Sequence, residues 1–473
     1  MEQFHEAQNW LVNLSSEAQF FREGKAPTLQ TVNLFLDALE RPDESFAYRV
    51  VVGGTAGKGT VCRTVEDVLL RSGKKVATLL SPHVQVVTER IRLNGQLIAP
   101  GDFAKYVFQI KDVMRSLHTA PTFYEVIVLA GILAARDAGC EILICEVGLG
   151  GGFDAVNAVQ GPRIAAVTFI GDDHKKILGG TLEHIAKTKA GIFTKDSVLN
   201  VSGEKVFQKI LESVAKGPVK FVKGIPAKLN KKVAREICEY VLNIPSPCGR
   251  GTKGEGRKET PPSPREIVPT LSGPPLRGIS WGKVLPHKGG GGKKIDFEMQ
   301  KLPIPARWEK IPICSEIATL PMVARDDSTL VIARNAVTKQ SHRNNGMVIL
   351  EGAHSAPRFE YISPKIKKIT GKKIGVFAMA RNHDPKTFQI ILPEFEEVIW
   401  TTVPGVREFW KPEELLKLMG RGRVEKNPIG AFRQAQTLGG KVIVTGSFYL
   451  CGVIRDLFYA PEKILEQRTE FPT

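Results

Sequence analysis

At 473 residues the chain is too long for one small core and implies two or three domains. Its formal net charge of +17 raises nucleic acid as a partner, but much of the excess lies between Pro247 and Lys294, where Arg250, Lys253, Arg257, Lys258, Arg265 and others face only Glu255, Glu259 and Glu266. Seven cysteines, an odd number with no Cys-x-x-Cys pair, argue against a disulfide framework or a structural zinc site. The longest apolar run, Val126–Ala135, is too short to span a bilayer, and Met1–Leu14 is polar and acidic, unlike a secretory signal. A reducing cytoplasm, no membrane and a monomer are the expectation.

In chain order, Arg49–Gly53 reads as a strand and Thr60–Leu70 as a helix, followed by a strand at Lys75–Leu80. Helical patterns cover Pro100–Leu117 and Phe123–Ala138. Short β-rich apolar runs at Glu141–Val147 and Ile164–Ile170 read as buried strands, and Thr181–Ile192 and Val233–Leu242 as helices. This alternation implies a mostly parallel sheet with helices on both faces. Pro245 then opens a Gly- and Pro-dense insert that lacks the apolar surface to offset its ordering entropy, so Pro247–Lys294 is expected to be disordered. No aromatic platform accompanies its basic residues, so nucleic acid is not the expected partner. A second insert covers Ala324–Asn345. From Met347 the alternation resumes, with strands at Met347–Ala353, Lys373–Ala380, Glu397–Val403 and Lys441–Thr445 and a last helix near Phe448–Phe458. The expected layout is a central α/β domain over 1–243, an insert over 244–296, the end of the central domain and a linker over 297–311, a second linker over 312–346, and a smaller Rossmann-like α/β domain over 347–473.

The strand Arg49–Gly53 breaks into Gly54-Thr55-Ala56-Gly57-Lys58-Gly59-Thr60. A buried strand, a glycine turn with one lysine and an opening helix form a phosphate cradle: backbone N–H groups and the helix N-terminus face the anion, and Lys58 adds a point charge. Gly59 follows the lysine where the common P-loop has Ser or Thr, so the fit is to the Mur-type variant. ATP is the expected nucleotide.

Further motifs follow in a fixed order: Leu80-Ser81-Pro82-His83, Thr88-Glu89-Arg90-Ile91-Arg92, Thr122-Phe123-Tyr124-Glu125, Glu146-Val147-Gly148 through Asn157, Gly171-Asp172-Asp173-His174, Lys189-Ala190-Gly191, Pro305-Ala306-Arg307-Trp308, Leu350-Glu351-Gly352-Ala353-His354 and Val444-Thr445-Gly446-Ser447. Together they resemble the folylpolyglutamate synthase / dihydrofolate synthase family of the Mur ligase superfamily. The resemblance implies a P-loop α/β central domain plus a smaller C-terminal α/β domain. It also implies ATP- and Mg²⁺-dependent addition of L-glutamate to a folate or to dihydropteroate through an acyl phosphate. By it, Gly54, Thr55, Gly57, Lys58, Gly59 and Thr60 hold ATP, with Arg307 reaching its phosphates and Asn230 on the adenine side. Ser81 and Glu146 hold one Mg²⁺, and His174 helps hold a second. Lys189 matches a lysine carboxylated to a carbamate. Glu351 and His354 face ATP and glutamate, and Phe123 and Tyr124 are the pterin-side candidates. Taken singly, His174 reads more readily as a capped surface histidine and Phe123-Tyr124 as core residues; it is the joint order of motifs that overturns those readings.

The sequence departs from the family at Ala56, Gly152, Thr188, Glu351 and Ser355, where asparagine, arginine, glutamate, aspartate and asparagine are usual. Those changes leave a rival open, a catalytically impaired nucleotide-binding paralogue. A different Mur-type amide ligase is the other alternative.

Overall fold

In the computed structural model, residues 1–14, 29–171, 178, 180–215, 217–223, 226–243, 307–312, 347–405 and 408–472 are described. His174 and both inserts lie outside them. The first lobe is organised by β1 (Tyr48–Gly53), buried at every position after Tyr48. It lies between β5 (Ile142–Glu146) and β6 (Arg163–Val167), each buried along its whole length. Continuous apolar runs suit parallel strands covered on both faces. Around this centre β2 (Val76–Leu79), β3 (Ile91–Leu93), β4 (Gln96–Leu97), β7 (Ser197–Ser202) and β8 (Lys220–Phe221) complete an eight-stranded sheet of order β4-β3-β2-β5-β1-β6-β7-β8. Only β3 and β4 run antiparallel to their neighbours.

The helix Phe123–Asp137 shows why an apolar run becomes a core helix. Thr122 caps it, with Glu125 N–H donating to Thr122 Oγ at 3.2 Å and Thr122 N–H donating to the Glu125 carboxylate at 2.6 Å. Every residue from Glu125 to Ala135 is buried. No helix among the described residues is long and apolar enough to cross a membrane.

The second lobe is a six-stranded sheet of order β13-β12-β11-β14-β10-β9, built from β9 (Arg307–Pro312), β10 (Met347–Glu351), β11 (Lys373–Phe377), β12 (Glu397–Trp400), β13 (Arg423–Val424) and β14 (Lys441–Thr445). Three boundaries differ from the sequence expectation. The helix expected from Val233 begins at Pro226, which puts Asn230 inside it. Residues 307–312, expected in the linker, pair antiparallel with β10 and form the edge of the second sheet. The chain past Ala460 leaves the second lobe: the helix Pro461–Gln467 buries Ile464 and Leu465 in the first lobe's core.

That returning tail is fixed by charge. Leu97 N–H donates to Arg468 O at 2.9 Å, and Arg468 Nε donates to Leu97 O at 2.7 Å. Glu470 accepts from Arg92 Nη1 at 2.6 Å, and Arg92 Nε also reaches Glu66 at 2.9 Å, which Arg63 binds at 2.7 Å. Burial alone would raise the Glu470 carboxyl, but Arg92 and Arg63 outweigh it and hold it below its ordinary range. Glu470→Ala should therefore lower the unfolding free energy by about 3–5 kcal/mol, since it strands buried guanidinium charge. Chemical denaturation at neutral pH measures this, and an unchanged midpoint would contradict it.

Candidate active site at the lobe junction

The loop after β1 needs two left-handed turns. Gly54 has φ +134° and Gly57 has φ +90°, which L side chains resist. Gly57 caps the helix Lys58–Arg71, so Lys58, Gly59 and Thr60 are its first residues, and their amides have no partner in a preceding turn. Lys58 Nζ donates to Gly54 O at 3.0 Å across the loop. Thr55 N–H donates to Phe169 O at 2.6 Å, and Thr55 Oγ lies 3.1 Å from both N and O of Gly171. Thr168 Oγ lies 3.0 Å from Gly53 O and 2.8 Å from Ala56 O, a brace that the sequence pattern did not single out. A Cβ on Gly57 would overlap the Asn230 carboxamide, so Asn230 lies against the loop.

Glu146 ends β5 and is 4 % exposed. Its Oε2 accepts from Ser81 N–H at 3.1 Å, and a Cβ on Gly59 would sit 3.2 Å from the same oxygen. Tyr124 Oη donates to Glu146 O at 3.0 Å. Gly59, Ser81 and Glu146 thus line one cleft, joined there by Arg63, Val84 and, from the second lobe, Phe448. A carboxylate and a hydroxyl beside an amide cradle are oxygen donors that suit a hard divalent cation. Among the described residues no group of three or more His, Cys, Asp or Glu is arranged to hold a metal ion, so these donors fill only part of its shell. Mg²⁺ is commonly held in that way, by one or two carboxylates plus waters and phosphate.

The glycine run after Glu146 is pinned by Asp154. Its Oδ2 accepts from the amides of Gly148 at 2.8 Å and Leu149 at 2.9 Å, and its Oδ1 from Val156 at 3.1 Å. Burial pushes the Asp154 carboxyl up to about 6, against the downward pull of these amides. A Cβ on Gly151 would lie 2.6 Å from Thr188 O and 2.9 Å from Lys189 O, a backbone approach that only glycine permits. Lys189 is 3 % exposed in the last turn of the helix Leu182–Ala190, its carbonyl also beside Gly53. Lys189 is therefore packed, by its backbone, between the phosphate loop's start and the glycine run. Phe123 lies under the Arg90 guanidinium at 5.3 Å, and Arg90 Nε donates to His83 Nδ1 at 2.8 Å.

In the second lobe Glu351 is 1 % exposed and accepts from Arg358 Nη2 at 2.7 Å. The Arg307 backbone lies opposite Glu351 in the β9–β10 register. His354 Nδ1 is 2.7 Å from Gly352 O; a carbonyl can only accept, which assigns the proton to Nδ1. The His354 ring stands 4.6 Å from His383 and 5.7 Å from Phe448, which lines the cleft. A Cβ on Gly171 would be 3.0 Å from Pro357 Cγ, so the second lobe also meets the strand end that braces Thr55. The structure thus gathers Gly54 to Thr60, Asn230, Ser81, Glu146 and Tyr124 in one region, with His354 one ring behind it. Sequence reasoning missed Gln85. Its Nε2 donates to Asp456 Oδ1 at 2.7 Å and Tyr459 O at 2.8 Å, while Arg455 donates to its Oε1.

Residues 52–237 match the family model of the Mur ligase middle domain. A putative folylpolyglutamate synthase of Caenorhabditis elegans is 35% identical over 179 residues, covering 36% of this chain and 35% of that protein. A dihydrofolate synthase/folylpolyglutamate synthase of Haemophilus influenzae is 37% identical over 170 residues, covering 36% and 38%. The chain thus spans well under half the length of these curated relatives. The fold extends further: a structure of E. coli FolC in complex with DHPP and ADP superposes with a TM-score of 0.69 at 21% identity, covering 96% of this chain and 97% of that one. A bifunctional folylpolyglutamate synthase/dihydrofolate synthase with Mn, AMPPNP and L-glutamate bound gives the same TM-score, identity and coverage.

Asp154 yields a signed pH effect. A carboxyl with a folded-state value near 6, against 3.8 ordinarily, favours the fold most below about pH 4, and that contribution is lost as pH rises through 6. Carbon-detected NMR of the side-chain carboxyl should give a midpoint above the ordinary 3.8; one at or below it would contradict the burial argument.

Proposed function

From a chain that is related to the folylpolyglutamate and dihydrofolate synthases and carries a Mur ligase middle domain, we propose an ATP-dependent ligase that joins L-glutamate to the carboxylate of a folate or of dihydropteroate. The observation that carries this reading is the meeting of Gly59, Ser81 and Glu146 in a cleft that Phe448 of the second lobe also lines. Such a reaction must energise a carboxylate. An oxygen of the acceptor's carboxylate attacks the γ-phosphorus of ATP and ADP leaves. The amine of glutamate then attacks the acyl carbon, the amide forms, and phosphate departs with the former carboxylate oxygen. Positioning and charge stabilisation supply most of the rate.

The chain's own groups take roles consistent with their places. The amides of Gly57 to Thr60 and the Lys58 ammonium cradle the β- and γ-phosphates, and Asn230 faces the nucleotide from the Pro226–Asn243 helix. Ser81 Oγ and the Glu146 carboxylate would hold Mg²⁺, which when bound screens the phosphate charge. Tyr124 fixes the Glu146 backbone, and Phe123, packed under Arg90, offers an aromatic face for a pterin. His354, anchored through Nδ1 to Gly352 O, is the proposed residue on the glutamate side. Lys189 as a carbamate, Arg307 on the phosphates and His174 at a second metal ion complete the proposal. Cys62, Cys140, Cys145 and Cys238 are buried free thiols, which fits a cytoplasmic setting.

A second reading, nucleotide binding without turnover, draws on Glu351, whose carboxylate is engaged by Arg358. Phosphate release from ATP separates the two. Under the ligase reading it requires both glutamate and one of the two acceptors, and the product gains the mass of a glutamyl residue. Release with neither acceptor would refute the assignment. Glu146→Gln should lower kcat by about 100-fold or more with nucleotide affinity nearly kept, since it removes one charged oxygen from the phosphate end. Gly57→Ala should instead weaken nucleotide binding by at least about tenfold, because its left-handed backbone and the Asn230 contact both resist a side chain. Wild-type affinity in Gly57→Ala would contradict the cradle.

A further inference from the structure

The opposite end of the first sheet carries buried positive charge that the cleft chemistry does not use. Arg49 and Arg163 are register partners where β1 and β6 begin. They are only 1 % and 2 % exposed. Like charges facing each other across neighbouring strands repel, and a buried guanidinium is costly without an anion. Neither makes an ion pair among the described residues. Arg49 donates to Asp43 O at 3.1 Å and Phe46 O at 2.5 Å; Arg163 donates to Val159 O at 2.6 Å, Asn157 O at 3.1 Å and the Asn157 carboxamide oxygen. The nearby Asp43 carboxylate gives one oxygen to Arg41 at 2.7 Å and keeps the other, Oδ1, buried without a hydrogen-bond partner. Burial pulls Arg49 down to about 10 and lowers Arg163, the cost of charge held in an apolar setting.

A polar recess opens at this point, lined by Asn157, Gly161, Arg163, Thr194, Lys195 and Asp196 among others. A Cβ on Gly161 would overlap the Arg49 guanidinium, so Arg49 lies directly beneath the lining. Two of the lining side chains are unsatisfied: Arg163 Nε and Thr194 Oγ are buried and have no hydrogen-bond partner. Buried donors of this kind are rare and call for a partner. The exposed Lys195 adds a cation at the rim, and among the described residues of the lining the exposed Asp196 is the one acidic side chain.

We propose that this recess is a binding site for a small oxyanion, accepting from Arg163 Nε and Thr194 Oγ and facing the Lys195 ammonium. Charge-assisted bonds of this type suit phosphate and carboxylate groups alike. The site is separate from the nucleotide cleft, because β1 and β6 begin at the recess and end, at Gly53 and Val167, beside the phosphate loop. It nevertheless has a mechanical route to Lys189. Asn157 Nδ2, in the recess wall, donates to Gly152 O at 2.9 Å and to Gly191 O at 3.2 Å, and Arg163 Nη1 reaches Ile192 O at 3.4 Å. The glycine run and the chain just past Lys189 are therefore tied to the same wall.

Isothermal calorimetry on the full chain tests this, with the cleft first filled by a non-hydrolysable ATP analogue. Inorganic phosphate and acetate are titrated separately at constant ionic strength. One equivalent of at least one anion should bind the wild type, and phosphate alone or acetate alone would identify the group that the recess prefers. Thr194→Val and Lys195→Gln should each weaken that binding by about fivefold or more, the loss of one charge-assisted or hydroxyl donor. Arg163→Gln should abolish it, but Arg163 also braces the loop, so the Thr194 and Lys195 variants decide the matter. Absence of binding for both anions, or unchanged affinity in both of those variants, would overturn the site. None of these outcomes depends on ligase turnover.

Discussion

Glu146 ends a strand that is buried at every residue, so its carboxylate cannot retreat to solvent without unravelling β5. A buried carboxylate is tolerated only when polar groups meet it. Here the Ser81 amide does so, Gly59 leaves the space for it, and Tyr124 holds its backbone. That constraint fixes the relation between the phosphate loop and the Ser81 loop. It also explains why Gly59 stands where most phosphate loops carry a hydroxyl: even a methyl there would press on the carboxylate at 3.2 Å. The chemistry proposed for the cleft depends on this one contact set, since it is where an oxygen-rich metal position and a phosphate cradle become a single place.

The second lobe joins that place through the same loop. Three amides, of Val84, Gln85 and Val86, converge on the buried Glu89 carboxylate, whose burial raises it despite those bonds. The loop so shaped pushes Val84 O into the space left by the absent side chain of Gly452, and Gln85 grips Arg455, Asp456 and Tyr459 O. Arg455 in turn is sandwiched by Tyr459 at 4.4 Å and Phe471 at 4.8 Å and donates to Glu470 O at 2.6 Å. The Ser81 loop, the second lobe and the returning tail are thus one mechanical unit. A shift of the second lobe would be felt at Ser81 within a few residues of chain.

Much of the architecture was legible because parallel strands covered on both faces need uninterrupted apolar runs. β1, β5, β6, β10, β11 and β14 show such runs plainly. The N-terminal helices were missed because the buried stripes Phe4, Ala7 and Leu11, then Val32, Phe35 and Leu36, are short and are blurred by further apolar residues off the stripe, Val12 and Leu34. β7 was missed because Asn200 and Ser202 interrupt its apolar pattern. In the site, glycines and motif order exposed the phosphate loop, Ser81 and Glu146. Thr168, Gln85 and Glu470 were not legible, since their value lies in partners distant in sequence: Gly53 and Ala56 carbonyls, Arg455, and Arg92. Nor can the pairing of Glu351 with Arg358 be read from composition. The local pattern announces a carboxylate but not who neutralises it.

The central claim is that a carboxylate is energised in this cleft by transfer of a phosphoryl group. Isotope transfer measures it directly: the acceptor is prepared with ¹⁸O in its reacting carboxylate, and the phosphate released during amide formation is analysed by mass. The account predicts that one labelled oxygen passes from the acceptor to phosphate for each glutamate joined. Phosphate carrying only unlabelled oxygen while the amide forms would contradict it.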